Sequence, residues 1–231
     1  MSVSPDFLPP HFLPSLSAGA HDPATGEACV MEYVSLLAGE PWTDRPECTH
    51  PLLAHEARTT NDLLTDRDRP RLVPLIGRLF GTGEDSPAIR AALRLAQARR
   101  VSRLLDPGAR ARVEAAIASP PSDPIAAAVA FPVADGDLDP QHRDHHVQQS
   151  RVFLFALTPD LEADEAQSLF VLTVAHRVAA GECRADCASG PSRARRMVQD
   201  LAALLDTYDQ VTGRVAPQLS PETVRELAAQ V

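Results

Sequence analysis

Residues 86–105 read SPAIRAALRLAQARRVSRLL. Ser86 is a strong helix N-cap, and Pro87 falls at the first helical position, where a missing N–H costs nothing. Ala, Leu and Arg, all good helix formers, fill the body of the stretch. Asp106-Pro107-Gly108 breaks it, and ARARVEAAIA behind the break predicts a further short helix. Upstream, Leu72, Leu75, Ile76 and Leu79 place a helix over about 70–80, ended by Gly81 and Gly83. Another starts at Pro51, with Thr49 or His50 as N-cap, and runs to about Leu64. The first covers about 28–39, where Val30, Val34 and Leu37 share one face, and Gly39 stops it before Glu40-Pro41. Downstream, helices are expected over about 162–180, 191–211 and 221–231, the last with Ser220 as N-cap and Pro221 at the first position. One run is strand-like, VFLFAL at 152–157, and it reads equally well as a piece of helix core. The expected fold is all-α, about eight helices in a globular bundle.

Residues 1–20 are punctuated by proline and read as an extended N-terminal arm. Residues 21–118 form an N-terminal helical region and 147–231 a C-terminal one. Between them, 119–146 (SPPSDPIAAAVAFPVADGDLDPQHRDHH) is the best linker or long loop. A single domain spanning the whole chain is the alternative, since 231 residues can bury one full core.

Composition narrows the function. Aromatics make up only 4%, so the core must be built from Leu, Val and Ala. All 22 basic residues are arginine, which rules out a Schiff-base lysine or a lysine general base. Four cysteines in a chain of this length do not make a disulfide scaffold. The N-terminus lacks a basic n-region, and the longest apolar run (169–180) contains His176 and Arg177 and is too short to cross a bilayer. A cytoplasmic protein with reduced thiols and no membrane association is expected.

Charge is segmented. Residues 1–57 carry one Arg and eight acids, 58–112 twelve Arg and six acids, 113–175 two Arg and ten acids, and 176–231 seven of each. Acidic and basic faces can meet inside such a fold, or a basic face can meet an anionic partner. The net charge of −9 argues against general nucleic-acid binding, which needs a basic footprint.

The densest chemistry lies in residues 26–50, GEACVMEYVSLLAGEPWTDRPECTH. Two of the four cysteines, the single tryptophan, five acids and a histidine surround an apolar helical run. Glu32 and Glu40 are the candidate acid/base carboxylates. A half-buried Glu32 would have a raised pKa, or would pair with an arginine of the basic segment. Trp42 and Asp44 are pocket candidates in a loop pinned by Pro41 and Pro46, although a lone Trp also serves as a plug. Cys29, Cys48 and His50, or His21, have the donor types of a zinc site, but no C-x2-C knuckle. Two buried free thiols, or a redox disulfide, are the competing readings. Cys183 and Cys187 are four apart between Gly181 and Gly190, and a joint four-thiolate site with Cys29 and Cys48 is a further option. His142 and His146, also four apart, stand at the spacing at which helix imidazoles share a metal, although the turn residues around them suggest an exposed linker. No nucleophile elbow, S-x-x-K, H-E-x-x-H, Walker or dinucleotide motif is present.

This block resembles a group of uncharacterised proteins from actinobacteria and their phages that share G-x-x-C-x-M-E-x-x-S-x-x-A-G-E-P-x-x-D-x-P-x-C. The resemblance covers only this block. It implies that Gly26, Cys29, Met31, Glu32, Ser35, Gly39, Glu40, Asp44, Pro46 and Cys48 belong to one local unit, and it implies no reaction.

Three functions remain. The leading one is an interaction or regulatory module with a protein partner. The second is an enzyme using Glu32 or Glu40 as acid/base and Cys29 or Cys48 as nucleophile or metal ligand. The third is an RNA- or phosphate-binding helical module using the arginines of 67–112.

Overall fold

The computed structural model describes residues 14–136, 140–155, 161–182 and 191–215. Among these the chain is all-α, with nine α-helices and one two-residue strand pair. It divides into two compact units with the boundary at Glu84/Asp85.

In the first unit, β1 (Ser15–Leu16) pairs in parallel with β2 (Glu27–Ala28), Ser15 opposite Glu27. Three helices follow: α1 (Val30–Ala38), α2 (Pro51–Leu63) and α3 (Val73–Leu79), the last preceded by a 3-10 turn at Arg69–Leu72. Helix α1 packs on both α2 and α3 and buries Val30, Met31 and Val34. Gly39 ends α1 in the left-handed region at φ 67°, which favours glycine, and its N–H reaches Leu36 O. His50, not Thr49, caps α2. The other end of α2 is satisfied by a buried guanidinium. Arg69 donates to Asn61 O at 3.0 Å and Leu64 O at 2.8 Å, and pairs with Asp66 at 2.6 Å. Carbonyls that a helix C-terminus leaves open therefore have a charged donor.

The second unit contains α4 (Pro87–Ser102), α5 (Pro107–Ala118), α6 (Pro124–Ala130), α7 (Pro140–Phe155), α8 (Ala163–Glu182) and α9 (Pro191–Thr212). Helix α8 runs through the middle and is buried on nearly every side from Glu165 to Gly181. It lacks an apolar stripe because α4, α5, α6 and α7 all pack against it. Leu169, Phe170, Leu172, Val174 and Val178 meet Ala98, Leu105, Ala109, Val113 and Ala128 there. Helix α9 packs on α4, where Arg100 meets Asp200 at 3.1 Å. Arg90 reaches Glu165 at 2.6 Å and Asp85 at 2.8 Å, and Arg94 stands 3.4 Å from the same Glu165. Gly181 allows a close crossing: a Cβ there would lie 2.7 Å from Ala134 O.

Segment 119–146, expected as a linker or loop, lies inside the second unit and holds α6 and the first turns of α7. Its prolines mislead for a physical reason. Pro124 and Pro140 occupy first helical positions, and Asp123 caps α6 through Ala126 N–H at 2.9 Å. In the strand-like run at 152–157, residues 152–155 are the last turn of α7. The expected helix at 221–231, the arm over residues 1–13 and the Cys183/Cys187 pair lie outside the described residues. Among the described residues no helix is long and apolar enough to cross a membrane.

Candidate functional site

Block 26–50 closes into a polar knot around Glu32, which is 2% exposed. Cys29 caps α1: its Sγ accepts from Glu32 N–H at 3.4 Å, while Glu32 Oε2 accepts from Cys29 N–H at 2.7 Å. This is a reciprocal capping box with cysteine in the place usually taken by Ser or Thr. Glu32 Oε1 accepts from His21 N–H at 2.7 Å, and His21 Nδ1 stands 3.0 Å from Oε2. Burial alone would raise the Glu32 pKa, but these hydrogen bonds, from Cys29 and then His21, outweigh it and lower the pKa. The expected raised pKa is thus reversed. The partner is also different: a histidine and two backbone N–H groups, not an arginine. A carboxylate held ionised by this many donors is a poor proton donor at neutral pH.

Glu40 belongs to a second cluster. It lies beyond the Gly39 cap that ends α1, and its own N–H donates to Ser35 O at 3.0 Å. Its two oxygens accept from Glu47 N–H at 2.8 Å and Cys48 N–H at 2.9 Å, which closes the 40–48 loop. Ser35, wholly buried, donates to Glu32 O and accepts from Thr43 N–H. Half-buried Trp42 donates its indole N–H to His21 O at 2.8 Å, so the loop is tied to the segment that holds Glu32. Asp44 is held from α2, where Arg58 Nη1 donates to Asp44 O at 2.7 Å and Nε stands 3.6 Å from its carboxylate. Trp42 and Asp44, the pocket candidates, thus act as ties. Gly26 closes the turn at Pro23–Thr25, and its carbonyl accepts from Ser15 N–H at 3.0 Å.

The expected metal set of Cys29, Cys48 and His50 is not assembled. Among the described residues no three His, Cys, Asp or Glu side chains gather in a metal-holding group. Cys29 Sγ is turned to the α1 N-terminus, Cys48 Sγ to Thr49 Oγ1 at 3.8 Å, and His50 Nδ1 accepts from Leu52 N–H at 3.2 Å. Cys29 and Cys48 are free thiols, not a disulfide. Burial, then the Glu32 charge, push the Cys29 thiol up to about 12 against the helix N–H groups, and burial raises Cys48 as well. Neither is a thiolate nucleophile at neutral pH.

The second unit holds polar chemistry that sequence reasoning missed. His146 on α7 and His176 on α8 are buried, with their Nδ1 atoms 3.1 Å apart and ring centroids 5.4 Å apart. His145 packs edge-on against His146. Burial, then the neighbouring His145 and Arg100, push the His176 pKa down to about 3, so its ring is neutral at pH 7. The sequence offers His146 either as half of a metal-sharing pair with His142 or as part of an exposed linker, and His176 only as an interruption of the apolar run; it gives no sign of the contact between them. The available signal was that interruption, a histidine within an otherwise apolar run. The His142 side chain is outside the described residues.

What fold and geometry define is an all-α protein of two compact units, with its densest chemistry committed to holding the first unit together. Compared with known families, curated proteins and solved structures, the chain finds no match.

Proposed function

We propose that the protein is an interaction or regulatory module that engages a protein partner through α3 of the first unit. The observation that carries this reading is the apolar outer side of α3. Val73 is 45% exposed and Phe80, which caps the helix, is 36% exposed. Seven residues separate them, two turns of helix, so both lie on the same side. Pro74 on α3 and Pro70 in the preceding 3-10 turn are also exposed. Large apolar side chains grouped on one exposed face mark interaction surfaces.

The enzyme reading centred on Glu32, Glu40, Cys29 and Cys48 is less favoured: both carboxylates accept from backbone N–H groups, and burial raises both thiol pKa values. The polyanion reading is weakened in the same way. Arg69, Arg71, Arg90, Arg94, Arg100 and Arg112 are each paired with a carboxylate. Free Cys29 and Cys48 suit a reducing compartment, which supports a cytoplasmic location.

The test is affinity isolation from the native source with the wild-type chain, Val73→Asp/Phe80→Asp, and a control substitution at exposed Glu114. A stoichiometric protein partner retained by wild type and control and lost by the α3 variant is expected. Equal recovery on the α3 variant, or a co-purifying small molecule with no protein, would overturn it.

A further inference from the structure

We propose that the His146–His176 contact is an acid-sensitive latch, which holds α7 on α8 while both imidazoles are neutral and releases α7 at mildly acidic pH. The two rings come from different helices, and their Nδ1 atoms face each other at 3.1 Å across the seam. A bond between two like nitrogens needs one N–H and one lone pair. One ring therefore donates from Nδ1, and the other accepts there and carries its own proton on Nε2. A second proton finds no good place. Added at the accepting nitrogen, it sets two N–H groups head to head. Added at the other ring's Nε2, it puts a cation into a seam where His146 is 3% and His176 7% exposed.

Helix α7 depends on this seam. It packs principally on α8, and its buried side chains among the described residues are His146 and Ser150. Ser150 turns its hydroxyl to Val147 O of its own helix, whereas His146 reaches across to α8.

The charges around the pair oppose an imidazolium. After burial, the groups that hold the His176 pKa down at about 3 are His145 of α7 and Arg100 of α4. Arg100 is met by Asp200 of α9 at 3.1 Å. Also on α4, Arg90 and Arg94 face Glu165, three turns of α8 away from His176, while Arg99 and Arg103 are exposed. Helix α5 brings Arg110, bonded to the carbonyls at the end of α4, Arg112 with Glu182, and exposed Glu114. Helix α6 has no titratable residue. Helix α7 adds exposed Asp144 and Arg143, which pairs with Asp135; the side chains of His142 and Arg151 lie outside the described residues. On α8 itself, Arg177 caps α6 through Val129 O and Phe131 O, and Asp164 is exposed.

The sign follows from proton linkage. A solvated imidazole binds a proton below about pH 6.5, whereas packed His176 stays neutral to about pH 3. The latch is fully effective above about pH 6.5, and each unit of acidification below that favours the released state about tenfold. From pH 7.5 to pH 5 the shift from His176 alone is about thirtyfold.

The experiment is amide hydrogen exchange on the full chain over that pH range, corrected for the intrinsic pH dependence of exchange and read by mass spectrometry. Protection over residues 140–150 should fall about thirtyfold, while α4 and α2 change by less than about threefold. His176→Asn keeps a hydrogen-bonding group near the Nδ1 position and does not titrate, so it should hold α7 protection to within about threefold. A flat α7 profile in wild type would overturn the proposal. So would an equal loss in His176→Asn, or a parallel loss in α4, which would mean that the whole unit opens. Should His176→Asn fail to fold, imidazole 15N shifts of the wild-type chain at pH 5.5 decide instead. A neutral His176 ring in the folded chain supports the latch, and an imidazolium there overturns it.

Discussion

Replacing Glu32 by Gln should weaken the first unit severely while barely changing the volume of the side chain. The carboxylate accepts from Cys29 N–H and His21 N–H, both at 2.7 Å, and faces His21 Nδ1 at 3.0 Å. An amide keeps one acceptor and turns an NH2 group toward another donor. One charge-assisted bond is lost, each worth about 1.5–3 kcal/mol, and a buried N–H is left unsatisfied at about 1–3 kcal/mol. The sum is roughly 2.5–6 kcal/mol, a large share of the stability of a small domain. Trp42 is the only tryptophan and donates to His21 O in the same knot, so its fluorescence in urea reports this unit alone. The acid limb provides a second readout. The Glu32 pKa is lowered on folding, so its stabilisation is present above the unfolded carboxylate range near pH 4.5 and disappears as pH falls through the folded value. Wild type should therefore lose stability below about pH 4.5 more steeply than Glu32→Gln. A Glu32→Gln chain within about 0.5 kcal/mol of wild type, with an unchanged acid limb, would refute the reasoning.

Other substitutions probe the remaining contacts. Cys29→Ser should keep the α1 cap and its stability, whereas Cys29→Ala should lose about 1 kcal/mol in the same urea titration. Thiol labelling at pH 7 should be slow at both Cys29 and Cys48 in the folded chain and rapid in denaturant, since both pKa values are raised. Arg90→Met removes the closest partner of buried Glu165 and should cost about 2–5 kcal/mol in the second unit, read by circular dichroism. Gly181→Val forces a Cβ to within 2.7 Å of Ala134 O and should lower the melting temperature, whereas Gly108→Ala, at an exposed position, should not.

The helices were legible where caps and periodicity agreed. Ser86-Pro87 starts a helix as N-cap followed by proline, and Gly39 ends one, whereas Asp106-Pro107, expected only as a break, is itself the N-cap and first residue of α5. The same Asp-Pro signal at Asp123-Pro124 was overridden by the density of Pro and Gly around it, which hid α6. The crowding of 26–50 marked a stretch worth testing, but the role of each group in it was not legible. Cysteine as an N-cap is uncommon, and His21 reaches Glu32 from eleven residues upstream, a contact no helical period encodes. The His146–His176 contact was invisible for a related reason: thirty residues separate the two, and only the packing of α7 on α8 joins them.

The most direct test of the interaction role is photo-crosslinking from positions 73 and 80 of α3 in the full chain, with position 114 on α5 as the control. If α3 presents the binding face, both positions give one discrete adduct with the same protein and position 114 gives none. Adducts that form equally from all three positions, or from position 114 alone, would contradict it.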